Sequence, residues 1–181
     1  PLDVMRHRIP DNVKDQALNA FLNHEVAPNQ ASLQSLLDDL ESTDKVTLVL
    51  GEGATGANDI LVALAESRNW LPVTTPRGKG LVDSFHPLYR GVFGFAGHNS
   101  ASDALKVENA DRVVAIGTAL DEVSTCGWDP TTILSDRLIH ISSNPSHLSR
   151  STMARLVVLG SPKLVFGPIA DKLIGDSTGA S

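Results

Sequence analysis

The 181 residues suit one domain, or one domain with an arm, and their 41% hydrophobic and 20% charged content is that of an ordinary globular core. A formal net charge of −6 argues against nucleic acid or an anionic membrane surface as the main partner. The single cysteine, Cys126, excludes an internal disulfide and fits a reducing, cytoplasmic setting.

The start, Pro1-Leu2-Asp3-Val4, is neither an initiator Met nor a signal peptide and reads as a boundary inside a longer chain. Residues 1–30 are mixed and polar and read as an arm, with Val13, Ala17 and Phe21 marking a short helix. The domain proper is expected over 31–174. Leu33, Leu36, Leu37 and Leu40 recur at helical spacing behind Ser32 as N-cap, which makes their face core. Val46-Thr47-Leu48-Val49-Leu50 is a short β-rich apolar run of the kind buried on both faces of a sheet. Gly51-Glu52-Gly53-Ala54-Thr55-Gly56 follows, and then a helical stripe of Ile60, Leu61 and Leu64. Leu71-Pro72-Val73-Thr74-Thr75 reads as a second strand, its proline near the start where a ladder tolerates it.

From Arg77 to His98 runs a connection rich in glycine: Gly78, Gly80, Gly91, Gly94 and Gly97. A short helix capped by Asn99 or Ser100 turns Ala101, Ala104 and Leu105 inward. Three further strands are expected at 112–117, 137–141 and 155–160. A last helix starts at Ser161 with Pro162 in its first turn, and Gly167-Pro168 is a candidate kink. Residues 175–181 are small and polar, a linker tail. Strands alternating with helices or long crossovers argue for a parallel sheet covered on both faces. No apolar run approaches the roughly 20 residues of a membrane span.

The sharpest local motif is Gly51-x-Gly53-x-x-Gly56. It follows a strand and opens a helix, the setting in which glycines let a backbone approach a pyrophosphate at a helix N-terminus. An acid about 20 residues on should then grip a ribose. None stands there, and Arg77 would instead meet a 2′-phosphate. The alternative is that the glycines only make a tight strand-to-helix turn, and both readings stay open. Arg77, Lys79 and His98 sit where parallel strands end, as ligand contacts or as solvated loop charges. Asp121-Glu122 reads as solvated, Cys126 as a small buried hydrophobe, and Trp70 and Trp128 as packing residues. Six scattered His and one Cys show no zinc spacing, and no nucleophile elbow, P-loop or H-E-x-x-H occurs. No catalytic or metal residue is expected.

An ordered set of short blocks resembles the central domain of thiamine-diphosphate-dependent enzymes of the acetolactate synthase, pyruvate oxidase and decarboxylase group. The blocks are Leu48-Val49-Leu50-Gly51-Glu52-Gly53, Leu71-Pro72-Val73-Thr74-Thr75 with Gly78-Lys79-Gly80, and His86-Pro87-Leu88-Tyr89. Gly91-Val92-Phe93-Gly94-Phe95-Ala96-Gly97, Asn109-Ala110-Asp111 with Ile116-Gly117, and Leu138-Ile139-His140-Ile141 with Asn144-Pro145 complete it. The likeness covers roughly residues 44–174.

The resemblance implies a Rossmann-like three-layer α/β sandwich of the DHS-like NAD/FAD-binding type, with a mostly parallel sheet of about six strands. It implies a parent enzyme acting on 2-oxo acids, a homodimer or homotetramer, with thiamine diphosphate and magnesium held in flanking domains. The family's catalytic glutamate precedes this domain and its GDG-to-Asn signature follows it, so this chain is expected to be noncatalytic, with the flanking domains as partners. In parts of the family the central domain holds FAD or ADP. Candidate nucleotide contacts here are Gly51, Gly53, Gly56, Arg77, Gly94, Gly97, His98 and Gly117. Flavin users carry arginines after the third strand and acids after the last two. This chain has Ala119 and Val123, then Ser142 and Ser161, which removes phosphate and ribose partners and argues against FAD, with ADP asking less of the site. Two rival readings are a stand-alone NADP-binding domain and a pure interaction module.

Overall fold

The computed structural model describes residues 25–175. Its elements in chain order are α1 (Gln30–Glu41), β1 (Val46–Leu50), α2 (Asn58–Arg68), β2 (Leu71–Thr74), α3 (Asn99–Ala104), β3 (Arg112–Ile116), β4 (Leu138–Ser142), α4 (Pro145–Leu148), β5 (Leu156–Leu159) and α5 (Pro162–Gly175). Short 3-10 turns follow β1 and β2, at Glu52–Ala54 and Pro76–Gly78. The helix expected around Val13, Ala17 and Phe21 lies outside the described residues.

All five strands are parallel and stand in the order β2-β1-β3-β4-β5. Residues 90–93 run beside β2 as a stub of a further strand. Val92 bridges Thr74 in parallel, Arg90 N donates to Pro72 O, Thr74 N to Gly91 O, and Phe93 N to Thr74 O at 2.8 Å. With the stub counted, the chain order across the sheet is 3-2-1-4-5-6, a doubly wound arrangement whose direction of progress reverses between β1 and β3.

β1 is buried along its whole length because both its edges are paired and both its faces covered. Alternation then sorts the side chains. Leu48, Leu50, Val114, Ile116, Ile139, Ile141 and Val158 face α1, α2 and α5, which bring Leu36, Leu40, Leu61, Leu64, Phe166 and Ile169 to one core. Val49, Val73, Val113, Ala115 and Leu138 face the other way, under Ala101, Ala104, Leu105, Leu120 and Ile133. The one polar side chain at the centre of β1, Thr47, is satisfied by donating to Ala104 O at 2.7 Å. Among the described residues no helix is long and apolar enough to cross a membrane.

Helix ends differ in detail from expectation. α1 is capped by Asn29, whose Oδ1 accepts from Ala31 N at 2.8 Å, so the helix starts before Ser32. α3 begins directly after His98, with no side-chain cap, and ends at Ala104. α5 runs on through Pro168 without a break. Gly167 lacks the Cβ that would clash with the proline ring, which relieves the usual restriction on the preceding residue.

At the amino ends of the strands the fold is tied by Asp39 on α1. Its carboxylate accepts from Arg112 Nε at 3.0 Å and from Arg155 Nε at 2.8 Å, joining the starts of β3 and β5 to one helix. Asp39 is mostly buried whereas Arg155 is half exposed, so the pair energies are discounted for solvent. Asp39→Asn keeps the shape and removes the charge. It is expected to lower the unfolding free energy by about 1–2 kcal/mol, read from urea midpoints at low salt, and an unchanged midpoint would mean the clamp contributes nothing.

Candidate functional site

Ligands of doubly wound sheets bind outside the carboxyl ends of the strands, where the order reverses. Here that point lies between the turn after β1 and the turn after β3, and three of the eight candidate residues meet there: Gly51, Gly53 and Gly117. They meet one another. Gly51 N donates to Ile116 O at 2.9 Å, and Gly53 N to Gly117 O at 2.8 Å. A Cβ on Gly51 would stand 2.5 Å from Gly117 O, and one on Gly53 2.9 Å from Gly117 Cα. A Cβ on Gly117 would strike the Gly53–Ala54 peptide. These glycines bring two backbone turns into direct contact, with no gap between them for a phosphate. The amides of Ala54, Thr55 and Ala57 are likewise taken, by Gly51 O, Glu52 O and Ala54 O. Gly56 stands apart, left-handed at φ +84° with open space around it, and serves the turn.

The segment after β3 is pinned carbonyl by carbonyl. Gly117 O accepts from Gly53 N, Thr118 O from His140 Nε2 at 3.0 Å, and Ala119 O from Arg150 Nη1 at 3.1 Å. His140 is fully buried on β4. A carbonyl can only accept, so the proton sits on Nε2, and Nδ1 faces the Ser151 hydroxyl at 2.8 Å. Burial pushes its pKa down from 6.5 to about 4; the Thr118 carbonyl opposes this and the nearby His147 adds to it. The imidazole is therefore neutral at neutral pH and acts as a strut.

Arg77 lies over this junction and is largely exposed. Its guanidinium stands 3.5 Å from Glu52 and 4.0 Å from Asp121. Burial alone would raise the Asp121 carboxyl, but the hydrogen bonds from Ser124 and the charges of Arg77 and Arg150 together hold it below the ordinary value. The cleft between Glu52, Arg77, Thr118, Asp121 and Ser124 encloses about 110 Å³. A pocket for a nucleotide-sized ligand needs about 300 Å³ or more. Two carboxylates beside one guanidinium also oppose an anionic phosphate.

The remaining candidates, Gly94, Gly97 and His98, belong to the loop beyond the stub strand. A Cβ on Gly94 would strike Val123 O and lie 3.3 Å from Pro76, and one on Gly97 would stand 2.5 Å from Val92 O. His98 Nδ1 accepts from Val92 N at 2.9 Å and its ring packs against Gly91. It braces its own loop.

Residue-by-residue reading missed His140, Arg150 and the partnership of Arg77 with Asp121. The signal for His140 was its place inside an apolar strand, where a buried imidazole must find partners. Trp70 packs as expected at 1% exposure, but Trp128 is 53% exposed and Cys126 is exposed too. Cys126, Gly127 and Trp128 are successive left-handed residues, and that turn carries their side chains outward.

Strand order, switch point and glycine turn define a Rossmann-type domain whose cleft is closed by its own backbone. Residues 33–168 match the family described as "Thiamine pyrophosphate enzyme, central domain", and the chain belongs to that family. A probable acetolactate synthase large subunit of Methanococcus aeolicus is 27% identical over 95% of this chain and 28% of its own length. A 3D-(3,5/4)-trihydroxycyclohexane-1,2-dione hydrolase of Geobacillus thermodenitrificans (strain NG80-2) is 30% identical over 74% of this chain and 21% of its own. A probable pyruvate decarboxylase, Pdc101, of Schizosaccharomyces pombe (strain 972 / ATCC 24843) is 28% identical over 86% and 30%. The chain thus spans less than a third of each of these relatives. The cleft at the switch point is too small for the thiamine diphosphate that the family name implies, and among the described residues no group of three His, Cys, Asp or Glu could hold a metal ion.

Two outcomes are expected. Gly117→Ala puts a Cβ into the Gly53–Ala54 peptide at φ +63° and should cost about 2–4 kcal/mol of stability, whereas Gly56→Ala meets only local strain of about 1 kcal/mol. Equal urea midpoints for the two variants would refute the close contact. For His140, the unfolded chain takes up a proton as pH falls from 6.5 toward 4, and the folded chain does not. Stability is therefore at its full value above pH 6.5 and falls across that window, by up to about 3 kcal/mol from this group. His140→Asn should flatten that part of the stability–pH curve whatever its absolute stability, and a curve of unchanged slope would show that the imidazole does not resist protonation.

Proposed function

We propose that this chain is the noncatalytic central domain of a longer thiamine-diphosphate-dependent enzyme acting on 2-oxo acids, acetolactate synthase-like in character. Its role there is that of a rigid scaffold between flanking domains. The observation that carries this reading is the closed switch point: the fingerprint glycines are used on one another, and the cleft left beside them holds about 110 Å³. The names of the relatives, acetolactate synthase and pyruvate decarboxylase among them, support a 2-oxo acid as the parent's substrate.

On this reading thiamine diphosphate and magnesium belong to the other domains of the parent, a cytoplasmic homodimer or homotetramer. The cleft is a vestige of a nucleotide site. FAD is disfavoured by its size and by Ala119, Val123, Ser142 and Ser161 where arginines and acids would be needed, and ADP, which asks less of the site, binds weakly. The NADP-binding alternative loses its main support, because Glu52 and Asp121 already face Arg77. Incubated with pyruvate, thiamine diphosphate and Mg²⁺, the chain alone is expected to release no CO₂ above a blank, and turnover would overturn the scaffold reading.

A further inference from the structure

Among the described residues the sheet is left uncovered at one place. β5 pairs with β4 alone and stands at the end of the strand order. Leu156 and Val158 pack toward α1 and α5, so the alternating Val157 and Leu159 project from the opposite face. There Val157 is 44% exposed and Leu159 42%, with Met153 at 39% just before the strand. The crossover into β5 supplies little cover. Its helix α4 has four residues, none of them buried, and spans about 6 Å against about 13 Å for the strand. The stretch Leu156–Leu159 also carries no charge and no proline, the devices by which an open edge is usually kept from pairing.

The chain itself arrives at this edge. Val26 N donates to Ser161 Oγ at 2.9 Å, Ser161 N donates to Val26 O at 2.8 Å, and a Cβ on Gly160 would stand 3.0 Å from Pro28. Pro28 thus lies beside Gly160 and Val26 beside Ser161, so the chain comes in at the carboxyl end of β5, next to Leu159. In the residues that precede it, Val13, Ala17 and Phe21 recur at every fourth position, the spacing of one helix face. Phe21 is five residues from Val26, a reach of up to about 17 Å, whereas Leu159 is only about 7 Å from Ser161 along the strand. At helical rise Val13 to Phe21 covers about 12 Å, close to the length of β5.

We propose that residues 13–22 of this chain are the cover of the exposed face of β5, with Phe21 against Leu159, Ala17 against Val157 and Val13 toward Met153. The chain then clasps the sheet edge: along one face of β5, across its end at residues 25–28, and back along the other face as α1. A tether of a few residues holds the segment at an effective concentration on the order of millimolar. A contact too small to retain a free peptide is therefore enough, and a second copy of the chain would have to reach that concentration in solution to displace it. The clasp also shields an edge strand whose own sequence offers no protection.

The test is disulfide trapping in the full 181-residue chain, with Cys126→Ser removing the native thiol. Ala17→Cys paired with Val157→Cys should close on mild oxidation on the order of tenfold faster than Ala17→Cys paired with Phe85→Cys, an exposed position beside α2. Adding Phe21→Ser should slow the first pair to the rate of the second. Equal rates for the two pairs overturn the proposal. So does a disulfide that joins two chains and grows with protein concentration, which would make a second copy the occupant. Hydrogen exchange gives a readout without new cysteines. Amides of 13–22 should exchange on the order of tenfold faster in Val157→Ser with Leu159→Ser than in the unaltered chain, while those of β1 stay slow and report an intact fold. Unchanged exchange at 13–22 with β1 still protected would show that the segment lies elsewhere.

Discussion

One backbone contact organises this molecule: the amide of Gly53 against the carbonyl of Gly117. In a doubly wound sheet the crossovers leave in opposite directions on either side of the reversal, and a crevice opens between them. Here each of the two turns presents a glycine to the other, and the crevice closes. His140 and Arg150 take the next two carbonyls, so three separate parts of the chain grip three successive peptide groups. A backbone gripped at three successive carbonyls has little freedom to rearrange. Closure, the small cleft and the pairing of Arg77 with acids are consequences of one geometry.

That geometry fixes the turns after β1 and β3 against each other. Relatives with three differently named activities resemble this chain, and a fold shared across different chemistries does not by itself name one. The clamp at Asp39 serves the same end from below, by fixing one helix to the starts of two strands. The sheet is held at both ends by polar contacts and in its two faces by aliphatic packing.

The strands were legible because apolar, β-branched runs such as 46–50 and 112–116 have no other stable home than a sheet covered on both sides. The stub at 90–93 was hidden, since Arg90-Gly91-Val92-Phe93 looks like loop until β2 is there to pair with it. The glycine fingerprint was legible as a turn but not in its purpose, because whether a glycine makes room for phosphate or for another peptide depends on what Gly117, far along the chain, brings to it. Trp128 and Cys126 were misjudged as interior for a similar reason. Residue type favours burial, and only the left-handed run through 126–128 turns them outward. Pro168 lies inside α5 without ending it.

The register of the sheet bears on how the chain is made. β1 pairs on one side with β2, which follows it closely, and on the other with β3, whose Arg112 lies opposite Val46. A ribosome delivers β1 and β2 long before β3, so the growing chain passes through a stage in which β1, buried along its whole length in the folded domain, has one edge unsatisfied. Such an edge is a template for pairing with other chains. Chains ending short of residue 112 therefore hold this open edge while α1 and α2 already cover one face of β1 with Leu36, Leu40, Leu61 and Leu64.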